Sequence, residues 1–130
     1  SVSFVKSVKK GFTVSYGSTY VAEKDMKIAT VPAGYGDGYP RYLSNKGEVL
    51  IRGTRCKILG RVCMDQFMVD VSHLDNVQIA DEVTLVGTDG NETITVEDVS
   101  DKDSRFNYEF CCLITPRVPR IYIKDGKVIE

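Results

Sequence analysis

Residues 33–41, AGYGDGYPR, place three glycines, two tyrosines, an aspartate, a proline and an arginine in nine positions. No regular strand or helix favours that composition, because glycine loses the most conformational freedom on ordering and proline interrupts both elements. The stretch nevertheless follows an apolar strand pattern, KIATV at 27–31, and precedes another, EVLI at 48–51. A glycine-rich connection between two apolar strands is a place where backbone turns tightly or passes close to something else. Composition alone favours a plain surface turn, so the flanking sequence has to decide.

Strand patterns dominate the first two-thirds of the chain. Val2, Phe4 and Val5 open an alternating run that Gly11 breaks, and Phe12, Val14 and Tyr16 alternate on one face before Gly17. Short strands are expected at 20–22, 28–31 and 48–51. Gly53-Thr54 reads as a hairpin turn into RCKILGRV. Phe67, Val69 and Val71 alternate with Met68 and Asp70, the pattern of a half-buried strand. EVTLV at 82–86 is another strand, followed by Gly87 and a turn at Asp89-Gly90, and RIYIKDGKVIE closes the chain as a hairpin turning at Asp125-Gly126.

Helices are expected late and short. Thr95 with Asp98 three residues on reads as an N-cap and its reciprocal partner, and Asn107 as the cap of a second helix that Pro116 ends. Many short strands with turn residues between them predict a mainly β fold, a small β-barrel or sandwich carrying one or two short helices, in a single domain over residues 1–130.

The 17 basic and 18 acidic residues are well mixed, so the chain presents no electrostatic footprint for nucleic acid or an anionic membrane. It contains no bilayer-length apolar run and no signal-peptide pattern. It begins without Met and reads as a piece cut from something longer. Cys56, Cys63, Cys111 and Cys112 lack paired metal-ligand spacing, and the single histidine, His73, cannot complete a zinc site. They read as reduced, mostly buried thiols of a cytosolic protein, with no metal implied, and His73 as a solvated loop residue. Nothing here forms a triad, a phosphate-binding loop or a dinucleotide fingerprint.

Three further segments resemble the opening one in placing polar groups at element ends. These are VSYGSTY, where Tyr16 precedes a glycine; GRVCMDQF, which gathers Arg61, Met64, Asp65 and Gln66; and RFNYEF, with Tyr108 at a helix start, followed by RVPR. Singly each has a structural explanation: a tyrosine corner, a surface ion pair, a helix cap.

In this order and spacing, VSYGSTY, PAGYGDGYPR, GRVCMDQF, NYE and RVPR resemble the C-terminal domain of alanine racemases, and the resemblance covers nearly the whole chain. It implies the mostly β domain of a fold-type III racemase, whose N-terminal (β/α)8 barrel and Schiff-base lysine are absent from this sequence. It further implies an isomerase that interconverts L- and D-alanine for peptidoglycan synthesis. That enzyme uses pyridoxal 5'-phosphate held by the barrel, is a cytoplasmic bacterial homodimer, and is inactive when reduced to this domain. Racemisation removes a proton from one face of Cα and returns it to the other, which calls for two bases around an electron sink.

By motif, Tyr16 is implied as the base specific for the L-enantiomer, acting in the other subunit's site. A free phenol loses its proton only near pH 10, so neighbouring cations, from the barrel or Arg61, would have to favour phenolate. Met64 is implied to bind the substrate carboxylate through its backbone N–H, with Asp65 beside it. Tyr35, Arg41 and Arg61 are implied to line the substrate corridor, where arginine suits a carboxylate. Tyr108 is implied to hydrogen-bond the cofactor phosphate within its own subunit. Related serine racemases carry asparagine there, so a tyrosine favours alanine over serine. The glycines of 33–41 are expected to let backbone pass close to the partner barrel. Two other readings stand beside this one: a serine or other amino-acid racemase of the same family, and a freestanding β-barrel interaction module. A nucleotide- or sugar-binding barrel finds no stacking platform, since aromatics are only 9% and there is no tryptophan.

Overall fold

The structure is a computed structural model, and it describes residues 1–102 and 107–129. Arg105 and Phe106 of RFNYEF, and Glu130 of the last hairpin, lie outside the described residues. The main sheet has five antiparallel strands: β1 (Phe4–Val8), β4 (Met26–Val31), β5 (Glu48–Ile51), β6 (Thr54–Leu59) and β7 (Phe67–Asp70). Their order is β1-β4-β7-β6-β5. Three two-stranded ribbons surround it: β2 (Thr13–Val14) with β3 (Tyr20–Val21), β8 (Gly87–Asp89) with β9 (Glu92–Ile94), and β10 (Tyr122–Lys124) with β11 (Lys127–Ile129). Two short helices, α1 (Val96–Asp101) and α2 (Asn107–Leu113), complete a mainly β domain in which the sheet does not close.

The middle strands are buried on both faces, and the two-residue period shows how. On β4, Met26 and Ile28 point into a smaller cluster with Val8, Val14, Ala22 and Leu59, whereas Ala29 and Val31 join the main core. β6 divides the same way, with Cys56 and Ile58 in the main core and Leu59 in the smaller cluster. Phe67, Val69 and Val71 are fully buried, as their alternation predicted, and the Phe67 ring stacks on Tyr39 with centroids 5.0 Å apart. Burying a side chain of that size contributes roughly 1.5–3 kcal/mol.

Several turns differ from the sequence-based expectation for identifiable reasons. The β5–β6 hairpin turns at Arg52-Gly53, one residue earlier than expected. Both residues have positive φ, as a two-residue turn matching strand twist requires. The 82–86 segment meets the sheet only where Thr84 exchanges two backbone hydrogen bonds with Leu50, so the strand begins at Gly87 and its hairpin turns at Gly90-Asn91. Phe12, Val14 and Tyr16 do not share a face: Val14 is buried, Phe12 and Tyr16 are exposed, and Tyr16–Ser18 is a 3-10 turn. Asn107 is the first residue of α2, and its side-chain amide donates to Glu97 on α1. All four cysteines are free, but only Cys56 is buried, and Cys111 and Cys112 on α2 are exposed. His73 is exposed, with Nε2 3.1 Å from the Arg55 carbonyl. The Asp125-Gly126 turn and the Thr95–Asp98 cap occur as expected.

Strand register brings the candidate loops together. Val31 pairs with Phe67 and Leu59 with Met68, so the end of β4, the end of β6 and the start of β7 lie at one end of the sheet. From that end emerge AGYGDGYPR and GRVCMDQ. Among the described residues, no helix is long and apolar enough to cross a membrane.

Candidate functional site

Tyr16 is presented by a strained turn anchored at both ends. Buried Val14 fixes the entry, and three of the next four residues then take positive φ: Ser15 at 68°, Gly17 at 68° and Ser18 at 50°. A serine at positive φ costs order that its contacts must offset. Ser15 Oγ donates to the Arg61 carbonyl at 3.0 Å and lies 3.5 Å from Cys63 Sγ. Gly60 permits this crossing, because a Cβ there would sit 2.7 Å from the Ser15 Cβ and 2.8 Å from the Val14 carbonyl oxygen. Arg61 extends over the turn, its Nη2 3.5 Å from where a Gly17 Cβ would be. The result is a phenol 72% exposed on a tethered backbone.

The CMDQ turn is held from the other side by AGYGDG. Tyr35 N–H donates to the Cys63 carbonyl at 3.0 Å and Gly36 N–H to the Met64 carbonyl at 2.9 Å. A Cβ on Gly34 would overlap both of those carbonyls, one on Gly38 would overlap the Leu113 carbonyl, and one on Gly36 would overlap the Arg117 guanidinium. These glycines therefore permit close approach within the chain itself. Asp37 Oδ2 accepts from Gly34 N–H at 2.9 Å, and Thr115 holds the loop through its N–H to the Asp37 carbonyl and its hydroxyl to the Gly36 carbonyl. Within the turn, Cys63 N–H donates to the Gln66 carbonyl at 3.0 Å. The Met64 N–H finds no acceptor among the described residues, and the Met64 side chain is 51% exposed.

Tyr16, Met64 and Asp65 thus line one open groove of about 610 Å³, together with Ser15, Cys63, Gln66 and Met68. Tyr35 and Arg41 form a neighbouring pair, the Arg41 guanidinium 5.5 Å from the Tyr35 ring centroid, in a hollow they share with Leu113 and Thr115. Arg61 packs behind the Tyr16 turn. Tyr108 lies outside both hollows, 80% exposed in the first turn of α2. A more apolar hollow of similar volume, lined by Pro32, Val86, Phe110 and Pro119 among others, holds none of the expected site residues.

Sequence reading assigned no role to Ser15, Asp37, Cys63 or Arg117. Arg117 Nη2 donates to Asp65 Oδ1 at 2.6 Å, and Nε lies 3.4 Å from Asp37 Oδ1. The hydrogen bond to Asp65, then the charge of Asp37, hold its guanidinium further above the usual range. The available signal was an arginine after the last helix in a chain whose two glycine-flanked turns each carry an aspartate.

The chain matches the family described as alanine racemase, C-terminal domain, over residues 1–122. It is 54% identical over 122 residues to the alanine racemase of Carboxydothermus hydrogenoformans, covering 94% of this chain and 33% of that protein. It is 50% identical over 121 residues to that of Halothermothrix orenii, covering 93% and 32%. Among solved structures, the alanine racemase from Bacillus anthracis with bound L-Ala-P superposes with a TM-score of 0.93 at 43% identity, over 99% of this chain and 33% of that one. The chain therefore spans about a third of the length of these relatives.

Proposed function

This chain belongs to the alanine racemase family, as its C-terminal domain, and from that premise we propose that it is the base-bearing half of an alanine racemase. Tyr16 abstracts and returns the α-proton on the L-face of alanine in the site of a second subunit. The observation that carries this reading is the pairing, in one groove, of an exposed phenol with a backbone N–H that has no acceptor among the described residues.

The chemistry follows from what each group can do. The Met64 N–H, held by the Gly36–Met64 and Cys63–Gln66 bonds, donates to the substrate carboxylate and fixes which face of Cα meets Tyr16. Tyr16 then holds or releases a proton at its phenolic oxygen, on a turn packed against the Arg61 guanidinium. Tyr35 and Arg41 form the corridor, drawing a carboxylate inward. Among the described residues no lysine lines the groove, and this reading assigns a covalently held pyridoxal 5'-phosphate to an N-terminal barrel. The groups here that fit it are the exposed Tyr108 hydroxyl for its phosphate and Tyr16 for the substrate it carries. When bound, that cofactor serves as the electron sink that makes the α-proton acidic.

On this reading the domain is inactive alone, the working enzyme is a cytoplasmic homodimer, and its product enters peptidoglycan. Tyr108 favours alanine over serine by filling space.

Complementation between subunits tests it. Full-length Tyr16→Phe and a full-length variant lacking the Schiff-base lysine should each be inactive. Mixed dimers contain one site with both groups intact, so random mixing restores about a quarter of normal turnover. Absence of rescue in verified heterodimers contradicts action across subunits, and normal turnover by Tyr16→Phe alone contradicts its role as base.

A further inference from the structure

Beside the carboxylate-binding turn stands a negative charge. Asp65 immediately follows Met64, lines the same groove, and its side chain is largely exposed. A carboxylate at the Met64 N–H would therefore share the groove with a second carboxylate, and like charges in one groove oppose binding. Arg117 answers that charge. Its Nη2 donates to Asp65 Oδ1 at 2.6 Å while Nε faces Asp37 Oδ1 at 3.4 Å, so one guanidinium ties the Asp65 turn, which lines the groove, to the glycine-rich turn behind it. It lies across Gly36, where any Cβ would displace it.

We propose that Arg117 is a positioning residue for racemisation: it neutralises and orients Asp65 so that the groove accepts an anionic carboxylate at the Met64 N–H. The proposal rests on the reading of the groove as the substrate site. Its role is electrostatic more than architectural, because the loop has other fasteners. Asp37 is bonded to Gly34 N–H, Thr115 binds both the Asp37 and Gly36 carbonyls, and Gly36 N–H reaches Met64 directly. Removing the guanidinium leaves those bonds in place and exposes the Asp65 charge to the substrate.

The experiment uses the full-length enzyme with L-alanine as substrate. Arg117→Ala should raise KM roughly three- to tenfold with kcat within about twofold, and Arg117→Lys, which keeps the charge, should restore most of the loss. The defect should shrink as potassium chloride rises from about 0.1 to 1 M, where the screening length falls from ~10 to ~3 Å. In an Asp65→Asn background, removing Arg117 should change KM less than about twofold, because the charge it answers is already gone. Should Arg117→Ala fail to fold, Arg117→Gln, which keeps a donor without charge, gives the same comparison. A defect that is equal in the Asp65→Asn background and insensitive to salt overturns the proposal, as does a fall in kcat with KM unchanged. Tyr16→Phe measured alongside separates the two levels. If it retains turnover, the groove is not the racemase site; if it is inactive while the Arg117 defect ignores Asp65 and salt, only the role of Arg117 is lost.

Discussion

The amide of Gly36 donates to the carbonyl of Met64 at 2.9 Å, across 28 residues of sequence, and this bond joins the two turns at the site end of the sheet. With the neighbouring bond from Tyr35 N–H to the Cys63 carbonyl, it sets where the CMDQ turn stands relative to the strand ends. Gly34 makes the approach possible, since a Cβ there would overlap the Cys63 and Met64 carbonyls.

Gly34→Ala should therefore push the CMDQ turn away from its place without unfolding the sheet. In the full-length enzyme kcat/KM for alanine should fall at least tenfold, corresponding to about 1.4 kcal/mol of lost transition-state stabilisation. Steady-state kinetics with a circular-dichroism control checks this, and unchanged kcat/KM would show that the turn tolerates displacement.

Tyr39 carries a buried hydroxyl with no hydrogen-bond partner among the described residues, on a ring stacked against Phe67. Tyr39→Phe keeps the stacked ring and removes the unpaired group, so urea unfolding should show stability unchanged or raised by up to about 1 kcal/mol. Burial, then the nearby Tyr42, push the Tyr39 phenol above its ordinary value. The folded state thus holds its proton more tightly than the unfolded chain. The associated stability is intact below about pH 10 and declines as pH rises beyond it. The wild-type protein should lose stability above pH 10 more steeply than Tyr39→Phe. Parallel alkaline curves would contradict this.

The cap of α1 is reciprocal: Asp98 N–H donates to Thr95 Oγ1 at 3.0 Å, and Thr95 N–H donates to Asp98 Oδ2 at 2.8 Å. The bond from the Thr95 backbone N–H, then the Thr95 side chain, hold the Asp98 carboxyl below the usual range. A depressed folded value means the contribution is present above about pH 4 and lost as pH falls through the folded value. Thr95→Ala should cost about 1 kcal/mol at neutral pH. Unfolding measured from pH 7 to 3 should show a shallower acid loss for Asp98→Asn than for the wild type. Since Asn107 on α2 donates to Glu97 on α1, weakening α1 also loosens the mounting of Tyr108.

What was legible in the sequence follows the range of the forces involved. The β7 alternation, the Asp125-Gly126 turn and the Thr95–Asp98 cap are set by neighbours within a few residues, and each reads directly. The alternation places Tyr16 in a strand because nothing local signals that Ser15 adopts a positive φ; that conformation is held by a bond to Arg61, 46 residues away, and contact with Cys63, 48 residues away. The β5–β6 turn lies one residue before the Gly53-Thr54 pattern because Arg52, as well as Gly53, takes the left-handed conformation. The site residues read from the motifs divide in space: Tyr16, Met64 and Asp65 share a groove, Tyr35 and Arg41 pair beside it, and Tyr108 stands on α2. Arg117 was invisible as a bridge because its two carboxylates come from separate turns that only the sheet register brings together.

The most direct measurement is the exchange of the α-hydrogen of each alanine enantiomer with solvent in full-length Tyr16→Phe, followed by NMR in heavy water. If Tyr16 is the L-face base, exchange from L-alanine should fall by about 10²–10⁴-fold while D-alanine continues to exchange through the base on the opposite face. Exchange of L-alanine at the wild-type rate would contradict the assignment.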